Sequence, residues 1–288
     1  MAIKKFKCKV CGYVHEGDKA PEKCPVCQAP SSEFEEIKDD DGAGTTTDHP
    51  NKKGINTNGN IYTIVYSGII VVVVAFLLAF VFQALKPAQD ANVALDKKKQ
   101  ILAALNIRDL SDKQASDEYA KDIVADEIID ADGRATAAGT QGGEKDGFAL
   151  KSSDYKAGKL ALYICKVNGE TKYVIPVYGM GLWGPIWGFI AVNEDKITVY
   201  GAYFNHDSET AGLGAEIKDS KEWQSQFKGK KIMKEGSEDI ALSVLKKSEV
   251  KDKTTQCDAV TGATLTSNGV SDMLKECLSK YKAFLIDK

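Results

Sequence analysis

Two sets of residues in this chain have the types and the spacing to do chemistry. The first is Cys8, Cys11, Cys24 and Cys27, two C-x-x-C knuckles separated by a dozen residues. Four thiolates so spaced enclose one metal ion tetrahedrally, and both iron and zinc suit such a cage. The second is the run Asp258-Ala259-Val260-Thr261-Gly262-Ala263-Thr264-Leu265-Thr266-Ser267, three threonine hydroxyls and a serine hydroxyl among small residues. Val270, Met273, Leu274, Cys277, Leu278 and Tyr281 follow at three- and four-residue spacing, which predicts a helix with one apolar face. Ser267 or Asn268 is its expected N-cap. A phosphate near Thr264 then meets free backbone N–H groups and the positive end of a helix dipole. Gly262 and Ala263 leave the Thr264 hydroxyl open to an enzyme that modifies it.

The elements that must hold these residues can be read around them. Residues 1–38 form the metal module, too short to fold on an apolar core, so a bound ion supplies much of its stability. His15 within it is expected at the surface, since four cysteines complete the site. Residues 39–60 are acidic, then rich in Gly, Ala and Thr, and read as a flexible linker in which His49 is solvated. Residues 61–85 contain no charged side chain and are dominated by Ile, Val, Leu, Phe and Ala. As a helix they reach about 38 Å, enough to cross a hydrocarbon core of roughly 30 Å, with Tyr62 and Tyr66 at an interface. Residues 86–288 are expected to be a soluble domain. Helices are predicted over 90–105 and 111–129, and a glycine-rich loop over 133–147. Strands are predicted over 160–167 and 173–177, flanking Asn168-Gly169, a hairpin signal. A second hairpin is predicted from 188–192 and 197–203. A short helix over 221–227 and a strand over 240–245 complete an α+β fold with an antiparallel sheet.

Composition narrows the function classes. The chain has 288 residues, room for two domains, with 38 basic and 41 acidic side chains and a net charge of -3. That balance gives no support for nucleic-acid binding. Residues 1–7 lack the apolar run of a signal peptide. No G-x-G-x-x-G fingerprint follows a predicted strand, so this chain alone is not expected to oxidise NADH. No acidic residue lies in the span to bind a cation. Cys165, Cys257 and Cys277 are expected to be buried apolar thiols, and no residue is assigned a catalytic role.

The resemblance to known families adds identity to these features. Residues 6–37 resemble the short rubredoxin-type domain of rubrerythrins: C-x-x-C-G-Y, a loop, C-P-x-C and a closing aromatic, here Phe34. That implies one iron on four thiolates, with zinc fitting the same cage. The run at 258–264 resembles the D-x-x-[S/T]-G-A-T signature of proteins that carry FMN covalently. Asp258, Thr261, Gly262 and Ala263 match it, and the resemblance makes Thr264 the residue that a flavin transferase joins to the FMN phosphate. Thr266 and Ser267 beside it are expected cofactor-binding residues as well. Residues 178–188, Y-G-M-G-L-W-G-P-I-W-G, and 206–216, H-D-S-E-T-A-G-L-G-A-E, extend the match. They imply flavin contacts from Gly181, Leu182, Trp183, Glu209, Thr210 and Gly212.

Together these segments resemble the C-type subunit family of the sodium-translocating NADH:quinone oxidoreductase, Na+-NQR, over about four-fifths of the chain. Ala211 stands where that family usually has proline, and the N-terminal rubredoxin-like module is an addition to its familiar form. The resemblance implies an electron-transfer subunit of an ion-translocating reductase. Its partners would be subunits of the B, D, E and F type, a flavin transferase and membrane lipid. It also implies a single pass through the cell inner membrane, with the metal module cytoplasmic and the FMN domain periplasmic. The count of flanking lysines favours the opposite orientation. Two other readings stand beside it. One is the G-type subunit of an Rnf-type ferredoxin:NAD oxidoreductase, which has the same flavin signature. The other is a membrane-anchored zinc-ribbon sensor or scaffold without redox activity.

Overall fold

The computed structural model describes residues 4–37 and 60–287. All of the expected linker except Asn60, including His49, lies outside the described residues. The chain divides into two compact units, Met1–Val71 and Val72–Lys288.

In the first unit, β1 (Lys4–Cys8), β2 (Val14–Gly17) and β3 (Phe34–Ile37) form an antiparallel sheet in the order β2-β1-β3. Its register sets Lys4 opposite Gly17 and Cys8 opposite Phe34. Each C-x-x-C knuckle closes on a backbone hydrogen bond: the Gly12 N–H donates to the Cys8 carbonyl at 2.8 Å, and the Gln28 N–H to the Cys24 carbonyl at 2.9 Å. Among the described residues of this module only Cys8 and Cys24 are buried. The described residues form no apolar core to hold it, so metal–thiolate bonds would supply the stabilisation.

The long helix α1 (Asn60–Ala104) runs 45 residues. The span and the helix predicted over 90–105 are one continuous element, passing through Pro87. Proline removes one intrahelical hydrogen bond and crowds the preceding turn, but strong helix formers flank it on both sides, and Lys86 pairs with Asp90 at 3.6 Å across it. None of the most apolar 18-residue stretch of α1 is covered by protein. A helix satisfies its own backbone groups, so this is a candidate transmembrane helix.

The second unit continues with α2 (Asp112–Asp122), which opens on a capping box between Ser111 and Gln114. The helix predicted over 111–129 ends there. Its last seven residues form β4 (Ile123–Ile129), because a β-branched run packs better on a pleated sheet than on a helix. Next come β5 (Ala135–Ala137), α3 (Ser152–Lys156), β6 (Leu160–Val167), β7 (Glu170–Met180), β8 (Pro185–Asn193) and β9 (Val199–His206). The sheet is antiparallel, in the order β5-β4-β6-β7-β8-β9. Asn168 and Gly169 turn β6 into β7 with φ of 52° and 86°, as a type I′ hairpin requires. The chain then forms α4 (Glu216–Asp219), α5 (Lys221–Ser225), β10 (Ser243–Leu245), β11 (Gln256–Asp258), α6 (Thr264–Lys280) and α7 (Lys282–Ile286). β10 and β11 pair in parallel, the exception to the predicted antiparallel pattern.

The sheet is covered on both faces. Along β6, Leu160 and Leu162 join one core with Val270, Met273 and Leu274 of α6. The alternate residues Ala161, Tyr163 and Cys165 join another with Ile101 and Leu102 of α1 and Tyr119 of α2. That alternation is the period of a strand, so the two cores lie on opposite faces.

Candidate functional site

The metal site is built by two chain reversals. The four Sγ atoms of Cys8, Cys11, Cys24 and Cys27 lie within 4.8 Å of one another. Cys8 and Cys27 are 3.6 Å apart, and Cys11 and Cys24 are 3.5 Å apart. Metal–sulfur bonds of about 2.3 Å make a tetrahedron with edges of roughly 3.8 Å, so the cage has the right size for one ion. Backbone N–H groups aim at the sulfurs: Tyr13 at Cys11, Cys27 and Val26 at Cys24, and Ala29 at Cys27. Desolvation raises the Cys24 thiol, but the Cys27 and Val26 N–H groups together with the Cys11 and Cys27 thiols bring it down to about 7, while the same crowding of thiols pushes Cys11 and Cys27 up. Such donors favour thiolate, the form that binds metal.

The second site forms at the start of α6. Thr264 is the first residue of that 17-residue helix, and Ala263 is its N-cap, with no side-chain hydrogen bond. The sequence expectation of Ser267 or Asn268 as N-cap is corrected by one turn. The Ser267 hydroxyl instead accepts from the Val260 N–H at 3.1 Å, folding the 260–267 turn back on itself and starting the helix earlier. The first intrahelical bond runs from Ser267 N–H to the Ala263 carbonyl at 3.0 Å. The N–H groups of Thr264, Leu265 and Thr266 therefore precede any intrahelical acceptor, which suits an anion. Thr264 is half-buried, whereas Thr266 is 1% exposed.

Glu209 ties the predicted segments together. Its carboxylate is 7% exposed. Oε1 accepts from the Trp183 N–H at 2.8 Å and Oε2 from the Thr266 hydroxyl at 2.5 Å. One side chain thus joins the β7–β8 turn, the loop after β9 and the first turn of α6. Two glycines make room for it, because a methyl group on Gly181 or Gly214 would collide with its oxygens. The Gly181 N–H also closes the hairpin onto the Gly184 carbonyl at 2.8 Å. Leu182 and Trp183 project from this turn, exposed, as do Met180, Leu213 and Leu265 nearby in the chain segments so joined.

The other expected contacts fall around this node. Thr210 and Gly212 are exposed, and the Thr210 carbonyl accepts from the Leu213 and Ala215 N–H groups. Gly262 holds φ of 77°, and Thr261 beside it is exposed. Asp258 ends β11. Its carbonyl accepts from Trp223 Nε1 at 2.8 Å and its N–H donates to Gln226 Oε1 at 2.9 Å. It lines an open groove of about 530 Å³ with Glu216, Glu222, Lys247 and Thr261. Sequence reasoning did not single out Trp223, Gln226 or Gly214, whose roles arise from partners far away in the chain. Nor did it find Gln100 of α1, whose Oε1 accepts from Trp187 Nε1 at 3.0 Å. Cys165, Cys257 and Cys277 are buried as expected. Burial pushes the Cys257 thiol up to about 12 and raises the other two, so none is a ready nucleophile.

Comparison with known proteins matches both sites. Residues 181–279 match the FMN-binding domain family, and residues 6–35 the rubredoxin-like domain of rubrerythrin. The C-type subunit of the Na(+)-translocating NADH-quinone reductase of Haemophilus ducreyi is 35% identical over 206 residues, covering 66% of this chain and 79% of that protein. The solved structure of the same subunit from Parabacteroides distasonis is 34% identical, with a TM-score of 0.65, covering 71% of this chain and 98% of that one. The Shewanella oneidensis NqrC structure is 23% identical with a TM-score of 0.56, covering 67% and 97%, and shares the fold.

Proposed function

This chain belongs to the NqrC family, the C-type subunits of the Na(+)-translocating NADH-quinone reductase, and from that premise we propose that it is an electron-transfer subunit of such a complex, carrying FMN joined by a phosphoester to Thr264. The observation that carries the reading is the contrast between two neighbouring hydroxyls. Thr264 stands at the first position of α6, half-buried, with N–H groups of the first turn beside it that have no intrahelical acceptor. Thr266 is buried, and its hydroxyl is held by Glu209. A phosphate on Thr264 meets the helix dipole and the N–H groups of residues 264–266. The exposed side chains of Leu182, Trp183, Leu213 and Leu265 offer apolar surface to the ring system. FMN supplies one-electron redox chemistry, and the protein fixes where it sits.

The four-cysteine module adds an iron centre in this reading. α1 crosses the inner membrane once, with that module on the cytoplasmic side and the flavin domain on the periplasmic side. Partner subunits of the B, D, E and F type oxidise NADH, carry sodium and reduce quinone, and a flavin transferase loads Thr264. The relatives favour this assignment over the Rnf-type alternative, since they are subunits of the quinone reductase.

The test is in-gel flavin fluorescence after SDS denaturation, with the chain co-expressed with a flavin transferase. Wild type is expected to give a fluorescent band and Thr264→Ala none. A fluorescent Thr264→Ala band moves the attachment elsewhere. A dark wild-type band with active transferase sinks the covalent reading.

A further inference from the structure

A cavity of about 240 Å³ lies between the last turns of α6 and the sheet. Its floor is made of buried side chains: Leu160 of β6, Pro176 of β7, Cys277 of α6 and Tyr281 just after that helix. Tyr155 of α3 and Tyr178 of β7 form an aromatic wall, their rings tilted by 52° with centroids 4.9 Å apart. Glu276 and Lys280, both exposed, stand at the mouth. Cys277 is more than three helical turns beyond Thr264, about 20 Å along α6, so the cavity is separate from the start of that helix.

Most polar groups around the cavity are already committed. The Cys277 Sγ accepts from the Tyr178 N–H at 3.3 Å and donates to the Tyr178 carbonyl at 3.2 Å. The Tyr281 hydroxyl donates to the Ala161 carbonyl at 2.8 Å. Lys280 pairs with Glu276 at 3.2 Å, so the two charges lining the mouth cancel. Asp154 and Lys159, on either side of Tyr155 in the chain, pair as well, at 3.7 Å. What remains is the hydroxyl pair of Tyr155 and Tyr178, 3.4 Å apart. Neither hydroxyl has another hydrogen-bond partner among the described residues. Two hydroxyls that share one bond leave one O–H hydrogen and several lone pairs over. Phenolic groups titrate near 10, so both are protonated at neutral pH.

Volume, walls and charge narrow the occupant. A cavity of about 150 Å³ takes a benzene ring, so this one has room for a single substituted ring. Aromatic walls favour a flat partner in offset or edge contact. With Glu276 and Lys280 bonded to each other, a charged occupant would find no counter-ion, which favours a neutral one. The leftover O–H hydrogen and lone pairs suit an oxygen that both accepts and donates. The rim offers no broad apolar surface to seat a protein, since Tyr178, 38% exposed, is the exposed large apolar side chain that lines it. We propose that this cavity binds a small neutral phenol, with its ring against Tyr155, Tyr178 and Tyr281 and its hydroxyl bonded to the Tyr155–Tyr178 pair.

The test is a titration of the full-length chain in detergent, its leucine methyl groups isotope-labelled for NMR. An aromatic ring seated in the cavity shifts the methyl resonances of Leu160, which lies in its floor. The probes are phenol, toluene and benzoate, with free probe measured in the dialysate so that uptake by micelles drops out. Phenol is expected to shift Leu160 saturably and to bind at least about five-fold more tightly than toluene, the worth of about one hydrogen bond. Benzoate, of similar size but charged, is expected to leave Leu160 unshifted. Tyr155→Phe/Tyr178→Phe keeps both rings and removes both hydroxyls, so phenol should lose its advantage over toluene while toluene binds as before. That loss of preference is a change a purely structural role for the two tyrosines would not produce. If the double variant does not fold, the wild-type ranking of the three probes decides alone. No Leu160 shift with phenol overturns the proposal, as does equal binding of phenol and toluene, or of phenol and benzoate, in wild type. N-acetyltyrosinamide binding more tightly than phenol overturns the small-molecule occupant in favour of a partner protein's tyrosine.

Discussion

Glu209 shows how one side chain can join three segments of a candidate site. Its two oxygens accept from the Trp183 N–H and the Thr266 hydroxyl. Its own N–H donates to His206 Nδ1 at 3.2 Å. Glu209→Ala leaves the buried Thr266 hydroxyl and the Trp183 N–H without this partner, which costs about 1–3 kcal/mol, mostly from the buried hydroxyl. Urea unfolding followed by tryptophan fluorescence should show that loss. Glu209→Gln keeps one acceptor but turns an NH₂ group toward a donor, so it should fall between the two. If Glu209→Ala unfolds at the wild-type midpoint, the carboxylate does not tie these segments together. Asp126 is a second such residue. It is fully buried, and its carboxylate accepts from the N–H groups of Thr140, Asp146 and Phe148 at 3.1–3.2 Å. Residues of the glycine-rich loop at 133–147 donate to that one carboxylate, and a side chain at Gly143 would collide with it.

Among the elements, α1 does two jobs with two parts of its length. Its first part is bare apolar surface, while Ile101, Leu102 and the following Leu105 enter the core on one face of the sheet. Full burial of each contributes about 1.5–3 kcal/mol, so the three together approach the whole stability of a domain. A chain beginning at residue 86 should therefore fold and stay soluble without detergent, and one beginning at residue 106 should not fold; circular dichroism and gel filtration distinguish them. α1 is further held by Lys97, whose Nζ donates to the Phe148 carbonyl at 2.6 Å and lies over the Phe148 ring. Burial pushes Lys97 down to about 8, partly offset by Asp126. In the unfolded chain the same group titrates near 10.5. Between these values the unfolded state holds a proton that the folded state has released, so stability rises with pH across that window. Below about 8 both states are protonated and the penalty stands in full, up to about 3 kcal/mol. Urea midpoints at pH 7.5 and 9.5 should differ for wild type by more than for Lys97→Met. Parallel behaviour of the two chains would remove Lys97 as the cause.

The whole molecule consists of two compact units with different sources of stability. The first has no apolar core among its described residues and depends on its metal, whereas the second has two cores on the faces of one sheet. Chelation by a strong metal binder at neutral pH should therefore unfold residues 4–37 and leave the second unit intact. Hydrogen exchange on the full-length chain reads both at once. Loss of protection in the second unit on chelation would show that the two stabilities are linked. The same division fits the proposed function, which needs two redox centres with separate partners rather than one shared core.

The amino-acid sequence by itself determined the metal cage, the span, the Asn168-Gly169 hairpin and the helix that follows Thr264. Each is encoded over a few neighbouring residues: ligand spacing, an uninterrupted apolar run, a φ > 0 pair, a three- and four-residue period. The tertiary structure alone decided where competing local signals were resolved. Pro87 argued for a break in α1, but helix formers on both sides carried the helix through. The residues of β4 lay in a helical pattern until pairing with β6 gave their branched side chains a better surface. Ser267 is a good N-cap by type, yet Val260 claims its hydroxyl. The Glu209–Thr266 and Gln100–Trp187 bonds join residues 57 and 87 positions apart. No local pattern signals such pairs, because a hydrogen bond between distant residues depends on the chain path that brings them together, and that path is set by burying both faces of the sheet at once.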